Sequence, residues 1–453
     1  MRLEAKIEVD AVVIGGGIAG LQTALDLAEQ DYLVVVVEKD ASVGGKMIRL
    51  SKVFPTLDCA SCITTPKMAA AAHHENISIL TYGDLKSLDR SSDGRLEAVV
   101  EKKPRFVDEA KCIGCRQCEY DCPILVADEN QGGFSARKAI HIPFSNAIPQ
   151  VATLDVDHCI LCGRCEKVCP TQAVDYFQQP QTIRIHAAAA VIATGFQMTS
   201  LHDKPQYGSG EITNVIDALQ MERLLAPHGP YNRVLRPSDG MEPDSIAFVQ
   251  CAGSRDRSMG VPYCSRVCCM YAIKQAMLLS GALPLADITI YYMDIRAFGK
   301  NYEQFFQNAQ AMGIQFVKAK VASLAAAENG AVEVCYEDQV NGGVTRTSHD
   351  LVVLSLGKIA AWNPFGTCPV EVAEDGFIRS VSPRLAATLT SMEGVFAAGA
   401  AAGPKDIVDA IAEAGAAAMK AASYLSACHR PKQARSGVSI NVKPQPSRAV
   451  AMG

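Results

Sequence analysis

A glycine-rich turn near the N-terminus restricts the first part of this chain to one kind of fold. Residues 9–14 are predicted to form a strand, residues 21–30 a helix, and residues 33–37 a second strand that leads into Glu38. The turn has the G-x-G-x-x-G pattern, with glycines at Gly15, Gly17 and Gly20. This spacing predicts a Rossmann-type unit whose helix N-terminus meets a pyrophosphate while Glu38 meets the ribose hydroxyls. The pattern alone leaves FAD and NAD as alternatives.

Two later segments fit the same nucleotide-binding fold. The sequence AAAAVIATGF predicts a strand that ends in Ala193-Thr194-Gly195. Near the C-terminus, GVFAAGAAAGPKDIVDAIAEAGAAA predicts a strand, a glycine turn and a long alanine-rich helix. This order of segments resembles the flavoproteins with two dinucleotide-binding domains, of the thioredoxin reductase type, in which the first site holds FAD.

That resemblance implies a set of FAD contacts distributed along the chain. They are Gly15, Gly17, Ala19, Gly20, Glu38, Lys39, Gly44, Gly45, Lys46, Ala193, Thr194, Gly195, Gly399, Asp406 and Ile407. Members of the family usually carry Gly-Asp where this chain has Gly399-Ala400. We therefore expect Asp406 to substitute for the missing aspartate at the ribityl chain.

Eight cysteines in the middle of the chain form two C-x-x-C-x-x-C-x-x-x-C-P motifs. The motifs span residues 112–123 and 159–170, and their first cysteines are 159 − 112 = 47 residues apart. In such a pair the fourth cysteine usually binds the other cluster, so two 4Fe-4S clusters are predicted. The expected ligand sets are Cys112, Cys115, Cys118 and Cys169 for the first cluster, and Cys159, Cys162, Cys165 and Cys122 for the second. Zinc is the alternative, but zinc sites usually pair two C-x-x-C units.

Because these motifs lie between the FAD segments, they predict a domain inserted into the flavin domain. We expect an α/β, two-dinucleotide-binding-domain, thioredoxin-reductase-like flavoprotein with an inserted two-cluster bacterial-type ferredoxin domain. The predicted parts are 1–103, the first part of the FAD-binding domain; 104–178, the ferredoxin domain; 179–240, the FAD-binding continuation and linker; 241–360, a second Rossmann-like domain with a cysteine cluster site; 361–428, the FAD-binding return; and 429–453, a basic flexible tail.

Where a nicotinamide-binding domain would have its own glycine pattern, this chain has cysteines. A predicted strand at 245–250 runs into Cys251, so we expect that nicotinamide binding is lost there. If a helix begins at Val261, Cys264 and Cys268 share one of its faces. A third 4Fe-4S cluster is predicted on Cys251, Cys264, Cys268 and Cys269. Neighbouring cations expected to offset its negative charge are Arg255, Arg257, Arg266 and Lys274.

The strings FPTLDCASCITTPKM, FVQCAGSRD and YCSRVCCMYAIK, together with the two ferredoxin motifs, resemble the A-type chains of heterodisulfide reductase and their relatives. The resemblance covers the chain to about residue 428. It implies FAD, a cluster on the four cysteines named above, and a catalytic role for Lys274 near the flavin N5. It also implies conversion between two-electron flavin chemistry and one-electron transfer, by flavin-based electron bifurcation or its reverse, confurcation.

The resemblance implies partners as well. These are B- and C-type subunits of a heterodisulfide-reductase-like complex or an iron–sulfur adaptor of a hydrogenase or dehydrogenase, with ferredoxin as a further partner and a homodimeric core. Three alternatives remain open. The chain could be a relay subunit of a quinone-interacting or acyl-CoA-reductase complex, a self-contained NAD(P)H-dependent ferredoxin reductase, or an iron–sulfur scaffold without catalysis.

Composition limits the other classes of protein. The net charge of −5 argues against a nucleic-acid partner, and the sequence has no apolar run long enough to span a membrane. Its polar N-terminus argues against a signal peptide. Seventeen cysteines then indicate ligands or redox groups in a reducing, anaerobic cell. We expect a cytoplasmic protein that reaches the inner membrane only through partner subunits.

The pair Cys59 and Cys62 in LDCASCITTPK has three open interpretations. It could be a redox-active dithiol, it could face a partner or support a cluster, or it could simply pack in the core. The single cysteines Cys335, Cys368 and Cys428 are expected to be buried small apolar groups.

Overall fold

The computed structural model describes residues 4–208, 210–340 and 342–428, so the predicted basic tail lies outside the described residues. The described strands are β1 (Glu4–Glu8), β2 (Ala11–Ile14), β3 (Val34–Glu38), β4 (Ile77–Thr81), β5 (Gly83–Arg90), β6 (Leu96–Lys102), β7 (Leu125–Ala127), β8 (Ala136–Lys138), β9 (Ile140–His141), β10 (Thr153–Leu154), β11 (Gln181–Ala187), β12 (Ala189–Ile192), β13 (Phe196–Met198), β14 (Val215–Asp217), β15 (Ser245–Val249), β16 (Asp287–Tyr292), β17 (Gln315–Ala326), β18 (Val332–Asp338), β19 (Val344–His349), β20 (Leu351–Leu354), β21 (Lys358–Ala360) and β22 (Val395–Ala397). The described α-helices are α1 (Ile18–Ala28), α2 (Ala60–His73), α3 (Gln117–Asp121), α4 (Arg164–Lys167), α5 (Ala218–Leu225), α6 (Cys268–Ala282), α7 (Tyr302–Ala311) and α8 (Ile407–Ala427).

Five parallel strands form the sheet that carries the first glycine turn. Their order is β22-β12-β2-β3-β4, and every residue of β2, β3 and β12 is buried. Strands covered on both faces need continuous apolar runs, which these strands have. Helix α1 packs beside the alanine-rich helix α8, and small side chains let the two helices approach closely. Helix α1 begins at Ile18, earlier than predicted, because Gly17 is its N-cap.

A four-stranded sheet marks where the chain leaves the nucleotide-binding unit and returns to it. Its order is β1-β11-β6-β5, and Lys102 at the end of β6 pairs with Gln181 at the start of β11. The segment 103–180 between these residues has its own apolar core, which includes Ile140 and Leu154. Because its ends are neighbours on paired strands, the segment projects from the sheet without interrupting it.

The second large sheet has seven strands, in the order β14-β20-β15-β16-β17-β18-β19. The first five of these are parallel neighbours, and β18 and β19 extend the sheet antiparallel. Helices α5, α6 and α7 contribute to the core on one of its faces. The antiparallel pair β13 and β21 links this unit to the nucleotide-binding unit. Among the described residues, no helix has the length and apolar character needed to cross a membrane.

The guanidinium of Arg105 connects the inserted segment to the nucleotide-binding unit. Its side chain is 1% exposed. Within the insertion it donates to Glu109 Oε1 at 2.7 Å and to Thr153 Oγ1 at 2.8 Å. Across the junction it donates to the Ala41 carbonyl oxygen at 2.6 Å and to Thr81 Oγ1 at 2.5 Å. One buried cation therefore satisfies acceptors from both sides of the junction.

We expect Arg105→Met to weaken the attachment of the insertion. The substitution leaves buried acceptors without a donor, a loss on the order of 2–3 kcal/mol. This loss can be measured by thermal unfolding and by limited proteolysis of segment 103–108. We expect a lower Tm and faster cleavage than in the wild type. The control is Arg184→Met, because the Arg184–Glu97 ion pair is half-exposed and screened by solvent. Equal losses in the two variants would contradict the role assigned to Arg105.

Candidate functional site

The glycine turn after β2 forms a cradle that side chains would fill. Gly15 has a φ of +110°, and a Cβ atom there would lie 2.4 Å from the Ala193 carbonyl oxygen. A Cβ on Gly20 would lie 1.8 Å from the Gly15 oxygen, and one on Gly45 would lie 2.9 Å from the Gly17 Cα. Only glycine permits these close approaches. The bare backbone at the N-terminus of α1 therefore fits the pyrophosphate of FAD.

Glu38 ends β3 with its carboxylate held against the glycine turn. Its Oε2 accepts a hydrogen bond from the Gly16 N–H at 2.6 Å, and its Oε1 accepts one from the Asp40 N–H at 2.9 Å. Burial raises the pKa of Glu38 above the usual value of a carboxyl group. The carboxylate is therefore fixed in position, whereas the neighbouring predicted residue Lys39 is exposed.

Two lysines flank Phe196, the residue that follows Ala193-Thr194-Gly195. The Nζ of Lys46 lies 5.3 Å from the ring centroid, and the Nζ of Lys358 lies 3.9 Å from it. Burial lowers the pKa of both amines, that of Lys358 to about 8. Lys46 was predicted from the sequence as an FAD contact. Lys358 was not predicted, because it follows a buried strand and belongs to no motif.

The C-terminal segment reaches the same turn. Gly399 has a φ of +63°, and a Cβ there would lie 2.6 Å from the Ala19 Cβ. Asp406 is the N-cap of α8, and its Oδ2 accepts a hydrogen bond from the Tyr302 hydroxyl at 3.1 Å. Ile407 packs against the small apolar cluster beside the first glycine turn. The structure thus brings together predicted FAD residues that are nearly 400 residues apart in the sequence.

The inserted segment contains two cavities, each lined by four cysteines. The cysteines of the first cavity are Cys112, Cys115, Cys118 and Cys169. Those of the second cavity are Cys122, Cys159, Cys162 and Cys165. Each cavity takes its fourth cysteine from the other motif, which is the exchange that two-cluster ferredoxins use. The donor sets therefore fit two 4Fe-4S clusters.

Backbone N–H groups point at several of these sulfur atoms. Cys159 Sγ accepts a hydrogen bond from Leu161 N–H at 3.4 Å, and Cys169 Sγ accepts one from Ala173 N–H at 3.2 Å. Burial acts to raise the pKa of Cys169, but the backbone donors outweigh it and lower that pKa. At Cys118, burial dominates and raises the pKa to about 12. Metal binding at Cys118 must therefore displace a firmly held proton.

The remaining predicted ligands converge beside the second sheet. Cys251 lies just after β15 with a φ of +57°, and Cys268–Cys269 are the first two residues of α6. Burial raises the pKa of both thiols of that pair, to about 12 and about 11, and a nearby Cys251 charge adds to the increase in each. The thiols are therefore within electrostatic range of one another.

The predicted helix from Val261 is wrong. Arg266 has a left-handed φ of +67°, which interrupts any helix there, and α6 begins only at Cys268. Cys264 lies in the preceding loop, where its Sγ accepts a hydrogen bond from the Arg266 N–H at 3.3 Å. Cys264 therefore does not share a helix face with Cys268; it interacts electrostatically with Cys251 and Cys269 from the loop.

The surroundings of these cysteines include an unsatisfied amide. Both Gln250 Nε2 and Gln250 Oε1 are buried, directly before Cys251, and neither finds a hydrogen-bond partner among the described residues. A cluster sulfide accepts hydrogen bonds, so this amide fits a 4Fe-4S cluster at the cysteines.

Within residues 4–208, 210–340 and 342–428, no three His, Cys, Asp or Glu side chains are placed to hold one metal ion.

Three of the four cations expected near this group are paired with carboxylates. The pairs are Arg255–Asp294, Arg266–Asp409 and Lys274–Glu222. Arg257 is exposed. The buried cation that interacts electrostatically with Cys268 is Lys358. The charge near the cysteines thus comes partly from a residue 90 positions after Cys268 in the sequence.

Lys274 lies on α6, five residues after Cys269, and is buried. Its Nζ donates to the Lys52 carbonyl oxygen at 2.8 Å and forms an ion pair with Glu222 of α5. The other oxygen of Glu222 accepts hydrogen bonds from Ser51 N–H at 2.9 Å and Ser51 Oγ at 2.8 Å. The sequence missed Glu222, because α5 reads as an ordinary structural helix.

Comparisons with known proteins agree with this geometry. Residues 10–110 match the family model "FAD dependent oxidoreductase", and residues 109–173 match "4Fe-4S dicluster domain". The chain is 43% identical over 431 residues to the A-type chain of the H(2):CoB-CoM heterodisulfide,ferredoxin reductase of Methanothermobacter thermautotrophicus, covering 93% of this chain and 65% of that protein. It is also 43% identical to the A-type iron-sulfur chain of the CoB--CoM heterodisulfide reductase of Methanocaldococcus jannaschii, covering 91% and 64%. The chain thus spans a little under two thirds of the length of these curated relatives.

Solved structures share the fold at low sequence identity. Thioredoxin reductase of T. acidophilum matches with a TM-score of 0.54 and 15% identity, covering 93% of this chain and 99% of that chain. Thioredoxin reductase of Lactococcus lactis matches with a TM-score of 0.52 and 13% identity, covering 92% and 99%. These matches confirm the predicted thioredoxin-reductase-like fold. The domain matches and the curated relatives show that the chain resembles the A-type chains of heterodisulfide reductase over more than nine tenths of its own length.

Proposed function

We propose that this chain is the FAD and iron–sulfur electron-transfer subunit of a heterodisulfide-reductase-A-like complex. The observation that carries the proposal is the buried connection between the cysteine helix α6 and the segment that follows the glycine cradle. Lys274 of α6 and Glu222 of α5 both bind that segment, at Lys52 and Ser51. A redox site on α6 would thus be held directly against the flavin site.

A second connection joins the cysteine loop to the FAD motif. The Tyr263 hydroxyl donates to the Lys358 carbonyl oxygen at 3.1 Å, and the Lys358 N–H donates to Ser265 Oγ at 2.7 Å. The side chain of Lys358 then lies over Phe196, next to Ala193-Thr194-Gly195. Lys358 thus orients the loop that carries Cys264 and places a positive charge between the two sites.

The proposed cofactors are one FAD and three 4Fe-4S clusters. FAD exchanges electrons in pairs or singly and 4Fe-4S clusters exchange them singly, which is the chemistry that these groups supply when bound. The two cavities of the insertion would hold two clusters, and the loop and helix around Cys251 and Cys268 would hold the third. Glu38 would bind the ribose, and Lys274 would stabilise negative charge near the flavin N5.

We propose electron bifurcation, or confurcation, as the mode of transfer. The support is the name of the M. thermautotrophicus relative, which combines a heterodisulfide and ferredoxin as two different acceptors. The relatives are named as single subunits of larger reductases, so we propose that this chain works with other subunits around a homodimeric core. We also propose a cytoplasmic location, on the basis of the many free cysteines.

Glu38→Gln should weaken FAD binding. The neutral amide loses the charged acceptor for the Gly16 N–H and for the ribose hydroxyls, worth about 1.5–3 kcal/mol, so affinity should fall about 10- to 100-fold. Flavin fluorescence during titration of the deflavinated protein measures this change. Glu29→Gln, an exposed change on the same strand–helix–strand unit, is the control and should bind FAD like the wild type. Equal affinity of the two variants would exclude Glu38 as a ribose ligand.

The number of clusters can be measured as iron and sulfide per chain after anaerobic purification. Three clusters predict about twelve irons, about twelve sulfides and one FAD. The double variant Cys268→Ser/Cys269→Ser should retain about eight irons and the FAD. Cys335→Ser, a half-buried change on β18, is the matched control and should keep the full content. About eight irons in the wild type would show that the cysteines around α6 hold no cluster.

Bifurcation is tested by the two one-electron potentials of the flavin, measured by redox titration with EPR and visible spectra. We expect crossed potentials, so that the second electron leaves at a lower potential than the first. This order lets one electron of a pair reach a low-potential acceptor. Uncrossed potentials would reject bifurcation and indicate a relay role instead.

A further inference from the structure

Cys59 and Cys62 lie at the N-terminus of the 14-residue helix α2, outside the flavin and cluster sites described above. Cys59 is the N-cap, and its Sγ accepts a hydrogen bond from the Cys62 N–H at 3.3 Å. Cys59 is half-buried, whereas Cys62 is exposed. The two thiols are three residues apart on the first turn of the helix, where side chains are neighbours. One sulfur is therefore held by the helix and the other faces solvent.

A short loop fixes the position of Cys59. The backbone of Lys52 forms an isolated antiparallel bridge with Cys59, and the Ala60 N–H donates to the Ser51 carbonyl oxygen at 3.2 Å. Ser51 and Lys52 are the residues that Glu222 and Lys274 bind. The backbone that carries the two cysteines is therefore held by hydrogen bonds and is not the end of a free loop.

The electrostatics of the pair are asymmetric. The Cys62 thiol donates a hydrogen bond to Cys59, and with the backbone N–H groups and Lys52 it lowers the pKa of Cys59 below that of a free thiol. The same hydrogen bond raises the pKa of Cys62. An anionic sulfur at a helix N-terminus is also favoured by the helix dipole. Cys59 is thereby suited to be the nucleophile and Cys62 the resolving thiol.

We propose that Cys59 and Cys62 form a redox-active dithiol that exchanges with disulfides. In the forward direction the Cys59 thiolate attacks one sulfur of a substrate disulfide, forming a mixed disulfide and releasing one thiolate. Cys62 then loses its proton and attacks Cys59 Sγ, which forms the Cys59–Cys62 disulfide and releases the second thiolate. The protein dithiol is oxidised by two electrons, and the substrate disulfide is reduced to two thiols.

The geometry of the pair distinguishes it from the cluster ligands. The cysteines assigned to clusters line the two cavities of the insertion or lie around α6, and neither Cys59 nor Cys62 lines either of those cavities. The proposal needs only thiol–disulfide exchange, so it does not depend on the proposed function. It adds a two-electron thiol site at the surface of the flavin domain.

The test uses the full chain with its cofactors, equilibrated anaerobically in buffers of reduced and oxidised dithiothreitol. After acid quenching and alkylation, peptide masses report the state of each cysteine. We expect the peptide with Cys59 and Cys62 to carry two labels in reducing buffer and none in oxidising buffer, in one two-electron transition. Cys428 serves as the internal control and should stay labelled in both buffers. It follows the last residue of α8 and is exposed, so the prediction that it is buried was wrong.

Single variants assign the roles of the two thiols. Cys62→Ser should form a stable mixed disulfide with 5,5′-dithiobis(2-nitrobenzoate) at Cys59, and faster at pH 7 than Cys59→Ser reacts at Cys62, because the backbone N–H groups and Lys52 still act on Cys59. The double variant Cys59→Ser/Cys62→Ser sets the background, and Cys428→Ser is the matched control. Full labelling of the pair in the most oxidising buffer would overturn the proposal. A lower iron content in the double variant than in the wild type would also overturn the proposal, because it would show that the pair binds a cluster.

Discussion

The position of the cysteine helix depends on one buried ion pair, Lys274 with Glu222. Removing two charges from water is costly, and the cost is offset only when the pair has good geometry and further hydrogen bonds to the charged groups. Here Ser51 donates to Glu222 through both its N–H and its hydroxyl group, Gln275 Nε2 donates to Glu222 at 2.6 Å, and Lys52 accepts from Lys274. Removing one partner of a buried pair is strongly destabilising, because it leaves an uncompensated buried charge. The Lys274–Glu222 pair therefore ties α6 firmly to the loop that follows the glycine cradle.

Charged side chains also connect the other parts of the chain where these parts meet. The buried guanidinium of Arg105 holds the insertion, whereas the half-exposed ion pair of Arg266 with Asp409 adds a weaker, solvent-screened contact between the cysteine loop and α8. Each is a directional polar contact between units whose apolar cores are separate. Apolar packing alone tolerates small shifts, whereas a hydrogen-bonded charge does not. A protein that must keep several redox centres in fixed positions gains from such contacts.

The features that depend on local residue spacing could be predicted from the sequence. The residues whose roles depend on tertiary contacts could not. Glycine turns, strand periods and the paired cysteine motifs each follow from geometry within a few residues, so the fold and the exchanged fourth cysteines could be anticipated. The helix expected from Val261 was wrong because the left-handed backbone at Arg266 leaves no trace in residue periodicity. Glu222 and Lys358 were missed because their partners come from distant segments.

Asp406 is the residue that we propose in place of the aspartate that the chain lacks after Gly399. Its Oδ1 accepts the Asp409 N–H at 2.8 Å as the cap of α8, and its Oδ2 accepts the Tyr302 hydroxyl at 3.1 Å. Burial raises the pKa of Tyr302 to about 12, so the hydroxyl stays protonated and remains a donor. An ionised carboxylate has about four acceptor positions, and these contacts use two of them. The cap therefore orients Asp406 and still leaves it able to accept the hydroxyl groups of a ribityl chain.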